Sequence, residues 1–266
     1  MNTNRWVLLV LFFSALVKGQ NTEAVDFENL NRAKHWQLVF DDAGTKDWRT
    51  KWFLDGKEAE IKNTKDGMLF GGGAMEGNEA HHAVLWTKDS FKGDLKIDYD
   101  YTKTDSKTAW ATILYLQATG IGVAPYMEDI SKWNDLREIP AMKTYYNYMK
   151  TLHISYASFE NKNTDIKNDY IRIRKYPVAA GQNFNKTTEI PDAYFQTGLF
   201  NVNETYRITI IKANQKLYFK VVGKTVSKLF CWDLSNTTAI TEGRIGLRHM
   251  HTRVAQYKNF RVFTKK

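Results

Sequence analysis

At 266 residues, 43% of them hydrophobic and with 38 Lys and Arg against 29 Asp and Glu, the chain is long enough to bury one large core. A single domain is expected rather than two small ones. The single cysteine, Cys231, excludes an intrachain disulfide framework, so packing alone must hold the fold.

The chain opens on MNTNRWVLLVLFFSALVKGQ, where Arg5 precedes an apolar run from Trp6 to Val17 and the small Gly19 follows. This is the pattern of a secretory signal peptide over residues 1–19, and the apolar run is too short to span a bilayer. A secreted or periplasmic product is expected, without membrane insertion and monomeric, with residues 20–266 as one domain. Loss of Arg5 and Lys18 leaves 36 basic against 29 acidic residues, a net charge of +7. Such a field favours an anionic partner. For an exported chain that partner is an acidic polysaccharide or oligosaccharide rather than nucleic acid.

Residues 20–35 are polar and at most lightly helical. Residues 36–40, WQLVF, read as a strand stopped by the turn Asp41-Asp42-Ala43-Gly44, and Trp48, Trp52 and Phe53 follow as core or edge aromatics. Short strands at 59–61 and 68–70 flank the turn Asp66-Gly67. Gly71-Gly72-Gly73 lacks the Lys and the strand-to-helix setting of a phosphate loop, so it reads as a turn or a close backbone approach. His81 and His82 precede a strand at 83–87 and, being adjacent, point to opposite faces, so at most one of them enters a groove. Residues 94–101, DLKIDYDY, alternate cleanly, with Leu95, Ile97, Tyr99 and Tyr101 inward and Asp94, Asp98 and Asp100 outward.

Alternation lapses between Gly120 and Lys150, apart from one helical stretch around 127–136. A connection this long inside a domain is commonly functional, and its Trp133, Tyr146 and neighbouring tyrosines could wall a sugar-binding groove, packing on a sheet being the alternative. A second irregular region covers 177–197. Residues 204–222 then give the strongest hairpin signal, two alternating runs joined across Ala213-Asn214-Gln215. Strands at 244–248 and 260–263 close the chain. Many short strands, hardly any helix and no βαβ alternation point to an all-β jelly-roll sandwich of two antiparallel sheets with long loops.

Three runs carry chemistry on one parity. In 113–117 Tyr115 and Gln117 oppose Leu114 and Leu116; in 152–155 His153 and Ser155 oppose Leu152 and Ile154; in 170–174 Tyr170, Arg172 and Arg174 oppose Ile171 and Ile173. If these strands are neighbours, one sheet face gathers His, Gln, two Arg and two Tyr. Arg248, His249, His251 and Arg253 form a second basic cluster. Strict alternation sends His249 to the side of Ile245 and Leu247, leaving Arg244 and Arg248 as carboxylate ligands.

The hairpin at 206–222, EGRIGLRHM at 242–250 and YKNFRVF at 257–263 resemble the concanavalin-A-like lectin/glucanase superfamily. More closely, HAVLWTKDSFKGDLKIDYDYT from His82, with LYLQATG, LHISYASF and GRIGLRHMHTR, resembles the YesU-like family of exported bacterial proteins of unassigned function. That resemblance implies a setting in plant or algal polysaccharide breakdown, and the superfamily admits a structural calcium ion, although no dense acidic loop stands out. No other cofactor is expected.

Retaining glycosidases of this fold would carry a Glu-x-Asp-x-x-Glu strand, which is absent, so hydrolysis ranks last. Adjacent histidines are not a zinc spacing, and no Gly-x-Ser-x-Gly turn offers a nucleophile. Elimination from a uronic acid needs a base, donors for the enolate-like charge and an acid for the leaving oxygen. His153, Tyr115, Gln117, Arg172 and Arg174 supply that inventory, with Tyr170, Trp133, Tyr146, Arg248, His249 and His82 as substrate-binding residues, in residue types resembling the jelly-roll alginate lyases but without their strand motifs. The sequence thus points to a polysaccharide lyase, with a non-catalytic glycan-binding module as the alternative.

Overall fold

A computed structural model describes residues 22–160, 165–179 and 181–266; the expected signal peptide lies outside them. The first element is a helix, α1, over residues 22–32. Its Phe27 is buried against Tyr218 and Leu30 packs in the same cluster, so this polar-looking segment is held on the outside of sheet strands by two apolar side chains, with Lys216 paired to Asp26.

Sixteen strands follow among the described residues: β1 (Trp36–Asp42), β2 (Trp52–Asp55), β3 (Glu60–Thr64), β4 (Gly67–Gly71), β5 (Ala83–Thr87), β6 (Phe91–Lys92), β7 (Leu95–Lys103), β8 (Trp110–Gly120), β9 (Met149–Phe159), β10 (Asp169–Tyr176), β11 (Glu189–Phe195), β12 (Thr205–Ala213), β13 (Lys216–Val222), β14 (Ser227–Asp233), β15 (Glu242–His249) and β16 (Val254–Lys265). They form two antiparallel sheets. Sheet A runs β14-β13-β12-β7-β16-β4-β3, with β1 also on β16, and sheet B runs β11-β10-β9-β8-β15-β5-β2, with β6 on β15. This is the jelly-roll sandwich expected from the sequence.

Alternation explains the sandwich. Leu95, Ile97, Tyr99 and Tyr101 of β7 enter the space between the sheets, as do Ile208 and Ile210 of β12 and Leu217, Phe219 and Val221 of β13, facing Leu114, Leu116, Leu152, Ile154, Ile171 and Ile173 of sheet B. Fully burying such a side chain contributes roughly 1.5–3 kcal/mol each, and chain entropy offsets most of the total. The β12–β13 hairpin closes on Asn214 and Gln215, both at positive φ (53° and 59°), the conformation a two-residue hairpin turn demands.

The central strands of sheet B are dry on both faces. All five residues of β5 are buried. Its outer face carries Val84, Trp86, Ile113, Tyr115 and Tyr176, packed under Ile130, Trp133 and Tyr145 of the long connection. That connection contains a 3-10 stretch, Ile130–Arg137, and a helix, α2 (Met142–Tyr148). A further short helix, α3 (Phe184–Thr188), covers the end of β10. Neither α2 nor α3 is foreshadowed by periodicity, because each is a turn or two long, and β11 is equally illegible in a segment rich in turn formers.

A buried acid clamps the cover in place. Asp55 accepts from Trp86 Nε1 at 2.6 Å and from the Tyr145 hydroxyl at 2.9 Å, is bonded by the Asn134 amide, and pairs with Arg137 Nε at 2.7 Å, with both charges fully buried. Burial pushes the Asp55 carboxyl upward against the pull of Arg137 and these donors. Gly246 completes the fit: a Cβ there would sit 2.4 Å from the Trp86 ring, which stacks on Tyr115 at 5.4 Å.

Candidate functional site

The three strands singled out by parity are neighbours in sheet B, and their polar halves meet. Tyr115 pairs with His153 across β8 and β9, and His153 with Arg174 across β9 and β10. Arg248 of β15 lies opposite Ile113. The face they share is the outer one, and it is covered. His153 is 3% exposed; Tyr115, Arg174 and Arg248 are equally sealed.

Within that layer the groups are engaged with one another. His153 Nδ1 lies 2.5 Å from the Tyr176 hydroxyl and Nε2 lies 2.7 Å from Ser155 Oγ, so both ring nitrogens are used. Burial, then Arg174, Arg172 and Arg248, hold the imidazole well below the usual histidine range. Burial likewise raises the Tyr115 and Tyr176 hydroxyls. Arg248 donates to His82 Nδ1 at 2.9 Å and to the Pro140 carbonyl at 2.6 Å, with Tyr145 beneath its guanidinium at 4.5 Å. His82 stacks on His251 with ring centroids 5.0 Å apart, and burial first, then Arg248, depresses it to about 2.

Other expected site residues are placed elsewhere. Gln117 sits at positive φ in a β-bulge of β8, and its amide donates to the carbonyls of Phe91, Gly93 and Thr241 at 3.0–3.1 Å. It fixes a turn rather than joining His153. His249 points between the sheets, as strict alternation requires, with Nε2 2.7 Å from the Tyr257 hydroxyl and its ring edge-on to Phe70. Trp133 is no open platform. It is buried, donates Nε1 to the Met127 carbonyl at 2.9 Å and carries Arg137 over its ring at 4.2 Å. Tyr146 is half-buried against Phe184 and Tyr176. The connection is therefore a cover packed on the sheet, and the aromatic groove expected from it does not form.

Among the hollows of the described surface, two lie beside the expected residues of sheet B. At the edge of the outer face, Tyr170, Arg172 and Arg174 line a hollow of about 370 Å³ with Asn185, Glu189 and Glu160. Of these three expected residues Arg172, 23% exposed, reaches solvent, and Tyr170 and Arg174 form the buried wall of the hollow. At one end of sheet B a larger hollow of about 490 Å³ is lined by Ala118 and Thr119 at the end of β8, Lys150 at the start of β9, Glu242 to Arg244 at the start of β15, Glu128 to Ile130 of the connection, Ser90, and the loop from Ala239 to Thr241.

This end cleft is built around one ordered ion pair. Arg244, foreseen as a carboxylate ligand, donates through Nη2 and Nε to Asp129 Oδ1 at 3.0 and 3.3 Å, and through Nη1 to the Thr87 carbonyl at 3.2 Å. Burial tends to raise Asp129, but the Ser131 hydroxyl and amide and Arg244 outweigh it and hold the carboxylate below its usual range. The same oxygen caps the 3-10 stretch through Ser131 N. By contrast, among the described residues the side chains of Glu128, Lys150, Ser90 and Thr119 make no hydrogen bond or ion pair. The cleft thus offers free acceptors and donors beside a fixed one. Sequence reasoning missed these residues because they come from five separate segments, mostly loops, with no shared period.

Among the described residues no group of three His, Cys, Asp or Glu is placed to hold a metal ion, and no helix is long and apolar enough to cross a membrane.

The model of the family described as "Domain of unknown function (DUF1961)" matches residues 41–262. The chain belongs to that family. No curated protein matches it in sequence. Among solved structures it is similar to a protein of unknown function with a galectin-like fold from Bacillus subtilis, at 16% identity and TM-score 0.62, covering 87% of this chain and 100% of that one. It is similar also to the exoplasmic/lumenal domain of VIP36 in its Ca2+/Man3GlcNAc-bound form (8% identity, TM-score 0.54, 86% and 91% covered) and to winged bean acidic lectin complexed with methyl-alpha-D-galactose (10%, 0.53, 86% and 98%). At these identities the likeness establishes the fold, a concanavalin-A-like jelly roll.

The expectation of a polysaccharide lyase is corrected. These neighbours are lectins and a protein of unknown function, none of them a lyase. The intended base, His153, is sealed under the connection with both nitrogens occupied and its basicity suppressed. A general base must come within about 3 Å of the proton it takes.

Proposed function

We propose that this DUF1961-family protein is a non-catalytic glycan-binding module whose ligand enters the end cleft of sheet B, and that it is exported. The observation that carries the reading is the inventory of unpaired groups in that cleft: the Glu128 carboxylate, the Lys150 ammonium and the Ser90 and Thr119 hydroxyls around an apolar floor of Ala118, Ile130 and Ile240. Each sugar hydroxyl both donates and accepts, so a lining that holds both a free carboxylate and a free ammonium can answer it either way. The apolar floor takes the C–H face of the ring. A volume of about 490 Å³ falls in the range of small-molecule sites. The lectins sharing the fold agree with this reading, since each of those proteins is described with a sugar bound. The net charge of +7 without residues 1–19 favours an acidic glycan at long range, while inside the cleft the free Lys150 stands with the free Glu128.

Calorimetric titration with a panel of neutral and uronic-acid oligosaccharides tests the proposal. Binding by at least one member, weakened about tenfold or more in Glu128→Gln and in Lys150→Met, is the expected result. Silence across the panel, or affinities indifferent to both substitutions, would overturn it.

A further inference from the structure

A second site lies about the edge strands of the same sheet, and we infer that the hollow formed by Tyr170, Arg172, Arg174, Asn185 and Glu189 binds the anionic substituent of a glycan, a carboxylate or a sulfate ester. The inference does not depend on the end cleft. It starts from strand parity: Arg172 and Arg174 are two residues apart on β10 and so share a face, and both line the 370 Å³ hollow.

The two guanidiniums are held differently. Arg174 is a fixed post, 2% exposed, resting on Phe184 at 4.6 Å and donating to Thr188 Oγ1 at 2.9 Å and to Asn185 Oδ1 at 3.1 Å. Arg172 is 23% exposed, lies over the Tyr170 ring at 4.2 Å, and bonds the Tyr170 hydroxyl at 3.3 Å. Its Nε is buried and has no partner. A planar guanidinium stacked on an aromatic ring is preorganised for contact with a carboxylate or sulfate, and the partly exposed end of Arg172 is what an incoming anion reaches.

The lining sets two guanidiniums against two carboxylates. Glu189 is shared, at 3.3 Å from Arg174 and 3.9 Å from Arg172, and Glu160 stands on the opposite lining without an ion pair to either. Behind the hollow Arg248 adds a third guanidinium with no carboxylate within ion-pair distance among the described residues. The depression of His153, caused after burial by Arg174, Arg172 and Arg248 in that order, registers the same positive field. Glu189 acts as the resident competitor that an incoming anion partly displaces.

The experiment titrates the protein with tetragalacturonate, with dextran sulfate and with neutral dextran at low and at raised salt. Binding to an anionic probe that falls with salt, weakens about tenfold in Arg172→Gln and tightens in Glu189→Gln is expected, with Glu128→Gln in the end cleft leaving this dependence in place. Response to tetragalacturonate alone identifies the carboxylate as the source, and response to dextran sulfate alone identifies the sulfate ester. Melting curves check that both variants are folded. Failure of both anionic probes, or equal binding by parent, Arg172→Gln and Glu189→Gln, would overturn the inference, and a neutral oligosaccharide still held in the end cleft would leave the glycan-binding reading standing.

Discussion

Acid should destabilise this protein well above the carboxylate range, because three buried histidines are kept neutral by the fold. His82 is depressed to about 2 and His249 to about 3, in both cases by burial first and then by a neighbouring arginine, and His153 lies well below its usual range. In the unfolded chain each titrates near 6.5. A group whose pKa is lowered by folding binds more protons when unfolded, so stability is complete above about pH 6.5 and declines as pH falls toward the folded value. Each histidine costs about 1.4 kcal/mol per pH unit in that window. Between pH 8 and pH 5 that is about 2 kcal/mol apiece for His82 and His249, roughly 4 kcal/mol for the pair, with His153 acting in the same direction. Typical domains have only about 5–15 kcal/mol in total. Carboxylates held low, such as Asp129, act only below the usual carboxylate range, and the raised Asp55 opposes the trend slightly. Urea unfolding at pH 8, 6.5, 5.5 and 5 should show midpoints nearly constant above 6.5 and falling steeply below it, with a shallower slope in His249→Gln. Midpoints that stay level down to pH 5 would refute the assignment of these histidines as buried and neutral.

Other substitutions test the cover over sheet B. Asp55→Ala strands the buried Arg137 charge and three further donors, and a loss of about 3–5 kcal/mol is expected by chemical denaturation; a change below 1 kcal/mol would contradict the clamp. Gly246→Ala drives a Cβ against the Trp86 ring, and the melting temperature should fall by an amount corresponding to about 1–3 kcal/mol. Trp133→Ala should cost about 3–5 kcal/mol, as a core tryptophan does, whereas a sugar platform would lose affinity and keep its stability. Burial pushes the Cys231 thiol up to about 12, so its reaction with a disulfide reagent at pH 8 should be far slower in the native protein than in urea.

Much of the architecture is written in side-chain parity. The alternation of β7 and of the β12–β13 hairpin forecasts a face packed on a core, and both faces are where the residues put them. Parity also brought Tyr115, His153 and Arg174 together on one side of three adjacent strands. What it does not carry is whether that side meets water. The clue lay in the run AVLW of β5 and in ILYL of β8, apolar at both parities, which is the mark of a strand covered on both faces. Asp55 gave no signal as a clamp, since a lone acid before a glycine reads as a turn. Arg244 was expected to hold a substrate carboxylate and instead holds Asp129, 115 residues away, which no sequence pattern linked to it. Gln117 left the common face through a bulge, and a one-residue slip of that kind is invisible to a strict period of two.

The account rests on a sugar occupying the end cleft. Titrating isotope-labelled protein with the oligosaccharide panel while following backbone amide resonances tests this directly. Shifts concentrated at residues 118–119, 128–130, 150 and 239–244 are the result predicted. Shifts confined to the outer face of sheet A, around Asp100, Thr102, Thr205 and Lys258, or no shifts with any sugar, would contradict it.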